Sequence, residues 1–447
     1  MDLASLAGLP ATPASHDGVI WGIPFAGLLL SIAILPLILP RFWHHHFGKI
    51  ALYWTLLLIA ALARAQGLEA SAAEMWRQML VEYLPFLALL LALYTAGGGI
   101  LLEGGPWGTP GGNTLLLAIG TLAAGVLGTT GVSMVLIHPL LRANAHRRRR
   151  VHLVVFFVLL CANAGGVTSP LGDPPLYVGF LRGVPFFWPV THLAGLLAMV
   201  ALPLLMVFWL IDRRLACGDK TLTRTPLRVT GRGNFALVLV VAAVVLGQGM
   251  WHPGQMRVLG AAIDIERLAG MAVLFGVAAL SWRVTPQSIR QRNLFSWAPM
   301  IEVALLFAAI FATIIPVETM LHAGAQGPLA PLLLLTKQPD GAPNAVAYFV
   351  ITGALAAVLD NAPTYLVFFQ LAGDDAARLT GDWAQVLRAI SAGAVFFGGL
   401  TYIGNAPNML VRSIAAHRGV RMPGFFTYAA MAALLLGPLL LLVATVL

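Results

Sequence analysis

Asn163-Ala164-Gly165-Gly166-Val167-Thr168-Ser169-Pro170-Leu171-Gly172-Asp173-Pro174-Pro175 interrupts an apolar stretch that would otherwise read as one continuous helix. Paired glycines and three prolines unwind it, because proline removes a backbone donor and its ring clashes with the preceding turn. A second interruption, Thr401-Tyr402-Ile403-Gly404-Asn405-Ala406-Pro407, lies 232 residues further on: Gly172 maps onto Gly404, Asp173 onto Asn405 and Pro175 onto Pro407. An earlier pair of polar breaks obeys the same offset, Gly128-Thr129-Thr130-Gly131 against Asp360-Asn361-Ala362-Pro363. Each precedes its later partner by 44 residues. Two matching sets of breaks imply an internal repeat.

Composition places the repeat in a bilayer. Hydrophobic residues make up 59% of the 447 and charged residues 10%, with mean hydropathy +0.85; a soluble domain carries about 25% charge. The formal charge of +9 does not point to nucleic acid, which needs a basic folded face; here the basic residues sit in short loops between apolar runs and read as topology signals. Cys161 and Cys217 are far apart, one in an apolar run and one in a basic loop, which argues against a disulfide framework. The first eighteen residues lack the form of a cleavable leader, so the first apolar run reads as a retained span.

Runs long enough to cross about 30 Å of hydrocarbon fall at 19–39, 49–64, 79–102, 190–211, 234–250, 266–282, 296–317 and 424–446. The broken remainder is assigned to re-entrant hairpins at 113–141 and 345–372 and to broken spans at 153–182 and 387–417. With the N-terminus outside, this puts nineteen lysines and arginines in inner loops and five in outer ones, as the positive-inside rule requires. The expected fold is all-α and polytopic, with two inverted-topology repeats and about eleven membrane elements besides the hairpins. Residues 1–78 supply N-terminal scaffold spans, 79–212 the first repeat, 213–295 a basic cytoplasmic linker with further spans, and 296–447 the second repeat.

Interrupted segments at corresponding places in two halves are the best sequence pointer to the binding site of a secondary transporter. A hairpin limb of about 14 residues reaches roughly 20 Å, so Thr129-Thr130 and Asp360-Asn361 approach the midplane. Irregular backbone at that depth must be buried in protein or line a wet cavity. Freed carbonyls, hydroxyls and amide oxygens suit an alkali cation, whereas the N-termini of the restarted half-helices suit an anion. Carboxylates at membrane depth are costly enough to be functional candidates, which singles out Asp173, Asp360 and Glu302.

At these residues the chain resembles a family. Asn163-Ala164-Gly165-Gly166 followed by Ser169-Pro170-Leu171-Gly172-Asp173 is similar to the signature of NhaD-type sodium/proton antiporters, and Gly172-Asp173-Pro174-Pro175 also recurs in arsenite permeases. Asp360-Asn361-Ala362-Pro363-Thr364 resembles the matching second-half motif. All belong to the ion transporter superfamily, with the citrate carriers and sodium/dicarboxylate symporters, and the resemblance covers most of residues 80–430. It implies a homodimer, with a scaffold and a moving transport domain that works like an elevator. Neither hairpin tip carries the Ser-Asn-Thr of the dicarboxylate symporters.

The leading expectation is therefore sodium/proton antiport in a bacterial inner membrane, with no cofactor beyond the coupling sodium ion and proton. Asp360 and Asp173 compete for the two ions; Thr129, Thr130, Asn163, Thr168, Ser169, Asn361, Thr364, Thr401, Asn405 and Asn408 help line the site; Glu302 tunes it. The sodium ligands of choice are Asn163, Asp173, Asp360 and Asn361. The alternative is cation-coupled transport of a small anion, a citrate, a dicarboxylate or an arsenite-like oxyanion. A membrane enzyme has no supporting nucleophile, metal cluster or cofactor loop. Plainer readings stand beside these roles. Asp173 and Asp360 also fit plain helix N-caps. Glu302 also fits a partner for a basic loop residue, and Thr401, Asn405 and Asn408 also suit local backbone satisfaction. His44-His45-His46 reads as interfacial rather than metal-binding, and Gly97-Gly98-Gly99 as a close-packing face.

Overall fold

Proline and glycine set the helix boundaries. The computed structural model describes residues 16–216 and 225–447; Cys217 and residues 1–15, on which the leader reading mostly rests, lie outside them. The first stretch comprises α1 (Ile23–Ile38), α2 (Pro40–Gln66), α3 (Leu68–Gln78), a π-helical turn (Met79–Tyr83) and α4 (Leu84–Gly98). Strand β1 (Leu101–Gly105) follows, then α5 (Pro110–Leu127), α6 (Thr129–Ala143), α7 (Val151–Leu160), α8 (Pro174–Leu181) and α9 (Trp188–Leu215). Beyond β2 (Thr225–Thr230) come α10 (Gly233–Gln248), β3 (Gln255–Val258), β4 (Ala261–Asp264), α11 (Ile265–Val284) and α12 (Gln287–Arg292). Next are α13 (Ala298–Thr313), α14 (Ile315–His322), α15 (Ala330–Leu335), α16 (Ala345–Leu359) and α17 (Asn361–Leu371). The chain ends with α18 (Ala376–Thr380), α19 (Ala384–Phe397), α20 (Ala406–His417) and α21 (Phe425–Ala444). Prolines occupy the first turn of α2, α5, α8, α9, α13 and α20, where a missing N–H costs nothing.

Among the described residues, eight helices are long and apolar enough to cross a membrane, or nine if the pair α13 and α14, bent by 42°, counts as one. The protein is an integral membrane protein. Leu122, Leu202 and Leu434 stand 73%, 65% and 78% exposed, a surface that only hydrocarbon would tolerate at this density. The expected spans shift in detail. The third begins at Leu68 and ends at Gly98, the span expected at 296–317 is the bent pair, and that at 234–250 is the sixteen-residue α10, about 24 Å long.

The chain is mostly helical, and besides the helices two small antiparallel ribbons form. β1 pairs with β2, Glu103 opposite Arg228, and β3 pairs with β4. A two-stranded ribbon leaves both outer edges unpaired, which lipid does not allow, so these ribbons mark the wet ends of the bundle. The histidine triplet lies inside α2, where His45 Nδ1 contacts the Arg41 carbonyl at 2.8 Å; among the described residues no group of histidines, cysteines and acids is arranged for a metal. The Gly97 reading as a packing face matches the structure: a Cβ there would come within 2.9 Å of the Gly131 backbone, so α4 and α6 touch nearly backbone to backbone.

α5 and α6 form a helical hairpin whose base is held by a buried polar network. Asn113 and Asn144 exchange side-chain hydrogen bonds at 3.0 and 2.9 Å. Asp212, at the end of α9, accepts from Asn113 Nδ2 at 2.9 Å and His152 Nε2 at 2.9 Å, and also from the buried Arg147 guanidinium. α16 and α17 form the second hairpin, with Tyr348 and Phe368 in edge contact across it at 6.3 Å. The broken element that begins with α7 is the most enclosed of the long apolar segments, 89% buried against 17% for α2. Packing thus puts the interruption of 163–175 at the centre of the protein.

Candidate functional site

Both hairpins turn on a single residue with the same unusual backbone. Gly128 adopts φ 74°, ψ 152° between α5 and α6, and Asp360 adopts φ 78°, ψ 146° between α16 and α17. This region is essentially reserved for glycine and costs a side-chain-bearing residue on the order of 1–3 kcal/mol. An aspartate where the repeat uses glycine carries its carboxylate at a cost in stability. Its Oδ1 accepts from the Ala362 N–H at 3.3 Å, so the capping reading holds, but Asp360 also lines the cavity described below. Asp360→Gly is expected to raise stability by roughly 1 kcal/mol in detergent thermal unfolding. Lower stability would mean that the cap on the Ala362 N–H outweighs the backbone strain.

The later breaks are built alike. α7 passes into a 3-10 turn at Ala164–Thr168 and extended backbone at Ser169, and α19 into a 3-10 turn at Gly398–Leu400 and extended backbone at Thr401. The Ser169 hydroxyl donates to the Gly125 carbonyl and that of Thr401 to the Ala357 carbonyl, each tying its break to the hairpin 44 residues earlier. The same hydroxyls accept from the Leu171 N–H at 3.1 Å and the Ile403 N–H at 3.3 Å. Gly166 packs against Gly172, and Gly398 against Gly404, with no room for a Cβ at either later position. Every one of these contacts recurs at an offset of 232 residues.

All four breaks meet at Asp173. This residue occupies the N-cap position of α8, but its side chain makes no capping bond. Its Oδ1 accepts from Thr129 Oγ1 at 3.0 Å and Asn405 Nδ2 at 2.9 Å, and its Oδ2 from Asn361 Nδ2 at 2.5 Å. Asn405, N-cap of α20, likewise makes no capping bond. Asn163 accepts from Asn405 Nδ2 at 3.3 Å and donates to Asn408 Oδ1 at 2.7 Å, while Asn408 Nδ2 donates to the Gly398 and Thr401 carbonyls at 2.8 Å each. Asp173, Asn163, Asn361, Asn405 and Asn408 are all buried, and Asn361 Oδ1 is left without a partner among the described residues. A buried orphan oxygen carries a cost unless something else approaches it.

A cavity of about 60 Å³ opens beside Asp173. One wall is polar and irregular: Gly128, Thr129 and Thr130, then Leu171 to Pro174, Asp360 and Asn405. The facing wall is apolar, from Phe86, Leu89 and Leu93 of α4 and Met300, Val303 and Phe307 of α13. Among the described residues no lysine, arginine or histidine lines it.

The remaining expected residues divide. Thr130 lines the cavity, and Thr364 Oγ1 donates to the Asp360 carbonyl at 2.8 Å, fastening the tip. Thr168 faces Gly125, and Ser169 and Thr401 brace the backbone rather than reach the cavity. Glu302 is not brought to Asp173: it accepts from Trp43 Nε1 of α2 at 3.1 Å, although its neighbours Met300 and Val303 line the cavity. One turn of α13 sends residues 300 and 303 to one face and 302 to another. The apolar wall was not legible as part of a site, since aliphatic side chains in a span carry no chemical signal.

No curated protein matches the chain. A family model does match, over residues 14–447, and by that match the chain belongs to the CitMHS_2 family, described as "Putative citrate transport".

Proposed function

We propose that the protein is a secondary active transporter that exchanges sodium ions for protons at Asp173 and Asp360 by alternating access. The observation that carries the reading is a small buried cavity with two carboxylates and, among the described residues, no basic side chain. A carboxylate there accepts a proton or a sodium ion but not both at once, which is the minimal machinery of exchange. Asn361 and Asn405 give the site two ways to be satisfied. Their amide nitrogens now donate to Asp173; rotated, the same side chains present carbonyl oxygens, hard ligands for an alkali cation.

The family description favours a second reading, transport of citrate or another small anion with a coupling cation, and the N-termini of α8 and α20 beside the cavity favour it too. Against it stand the two acids, which repel a carboxylate, and a lining that, among the described residues, offers an anion no basic side chain.

Contacts between loops support the inverted arrangement. Arg147 and His152 before and at the start of α7 meet Asp212, which also holds Asn113 at the base of the first hairpin, while Arg182 at the end of α8 meets Asp374 at the base of the second. The hairpins thus open at opposite ends of one broken element, as two re-entrant loops entering from opposite faces require. The ion pairs Glu103 with Arg142 and Arg292, and Arg182 with Glu82 and Glu318, each join segments assigned to one face. On this reading the N-terminus is outside, the hairpins and broken elements move against a frame that includes α4 and α13, and two copies associate in a bacterial inner membrane.

In proteoliposomes holding an acidic interior and a pH dye, external sodium alone is expected to collapse the proton gradient, with saturation. Silence toward sodium and lithium, with citrate-dependent proton movement instead, would establish the anion reading.

A further inference from the structure

The two helices that start at the cavity end at a single buried ionic cluster. α8 runs from Asp173 to Arg182, and α17 from Asp360 to the turn that carries Asp374. At eight and eleven residues they are stiff rods of about 12 and 16 Å. Arg182 donates to Asp374 Oδ2 at 2.6 Å and to Glu318 Oε1 at 2.9 Å, and it lies 3.5 Å from Glu82 Oε1. Gln370, on α17, donates to the same Glu318 oxygen at 2.6 Å. His322 stands at the rim, 3.7 Å from Asp374.

The geometry that presents these groups is irregular at each point. Glu82 sits in the π-helical turn between α3 and α4, a distortion often found at functional sites, and Glu318 lies just past the 42° bend between α13 and α14. Asp374 has φ 52°, in the left-handed region. One guanidinium serves three carboxylates, and Glu82 Oε2, Asp374 Oδ1 and Gln370 Oε1 are buried without partners among the described residues. Arg182 and Glu82 side chains are only 12% and 10% exposed, so each contact broken leaves a buried charge short of its partner.

We propose that Arg182 is a latch. Asp374 holds it on the moving side, and its bonds to Glu82 and Glu318, with that of Gln370 to Glu318, pin α8 and α17 to the frame in the conformation described. Release of these bonds accompanies the passage to the opposite-facing state. Arg182 touches no ion; it is a positioning residue that sets the balance between the two states. The inference rests on alternating access as proposed above, but not on the identity of the transported ion.

The test is the accessibility of a cavity residue from each face. In a Cys161→Ala, Cys217→Ser background, Thr130→Cys in sealed vesicles of either orientation is labelled with a membrane-impermeant maleimide. Arg182→Gln and Glu318→Gln are each expected to move the labelling rates from the two faces in opposite directions, by about threefold or more. Arg182→Lys, which keeps a cation among the three acids, is expected to keep the original pattern. Rates that stay unchanged in both single variants, or that rise equally from both faces as in a loosened fold, overturn the latch. Should Arg182→Gln fail to insert, Glu318→Gln carries the test, since it removes the charge but not the bulk. Shifted labelling with no sodium-driven proton movement would remove the ion assignment and leave the latch standing.

Discussion

Asp173→Asn is expected to lower sodium-driven proton movement by roughly 100-fold or more, a barrier of about 2.7 kcal/mol, while leaving the protein folded. The substitution keeps the size of the side chain and removes only its charge. The introduced amide oxygen can still accept from Thr129 and Asn405, and the introduced amide nitrogen finds an acceptor if Asn361 turns its unpartnered Oδ1 toward it. The flip exchanges one unpartnered atom of Asn361 for the other, so the number of unsatisfied buried groups is unchanged, and thermal unfolding in detergent should shift by less than about 1 kcal/mol. Exchange in proteoliposomes is the decisive measurement. Activity within about threefold of the unsubstituted protein, at less than the ~1.4 kcal/mol of a tenfold change, would remove Asp173 from the mechanism. A collapse of folding would instead assign it to the architecture.

The largest effect on stability is expected at the other end of the first hairpin. Asp212→Ala takes away the carboxylate that accepts from Arg147, His152 and Asn113. Arg147 is 4% exposed and would lose this acidic contact, and loss of one member of a buried ion pair costs about 3–5 kcal/mol. The base of the hairpin, where Asn113 and Asn144 hold α5 and α6 together, loosens with it. In a Cys217→Ser background, thermal unfolding followed by a thiol-reactive dye at the buried Cys161 reads this directly, because Cys161 packs against Gly120 of α5. An Asp212→Ala protein as stable as the parent would show that water reaches this network and screens it.

The repeat was legible because it is written in residues with few alternative uses. Glycine and proline at matched positions, with polar residues between them, mark where helices break, and the offset of 232 residues carried over into paired hydrogen bonds of Ser169 and Thr401. Asp173, Asn361, Asn405, Asn163 and Thr129 come together in one hydrogen-bonded group, since breaks packed against one another in an apolar protein have few other polar partners. Glu302 misled, because a carboxylate in a span announces itself whichever way it faces, and the direction is set by a fraction of a helical turn.

Residence in a membrane, the places where helices break and the polar residues that meet there all follow from composition and punctuation along the chain. Hydrocarbon leaves backbone and charge so few options that local patterns suffice for these. Packing had to be seen before it was known that Asp173 spends its carboxylate on three side chains rather than on its own helix, and that Asp360 stands where the backbone wants glycine. The same holds for Arg182 and its three distant acids. These are facts of direction and distance between segments remote in the chain, and no local pattern encodes them.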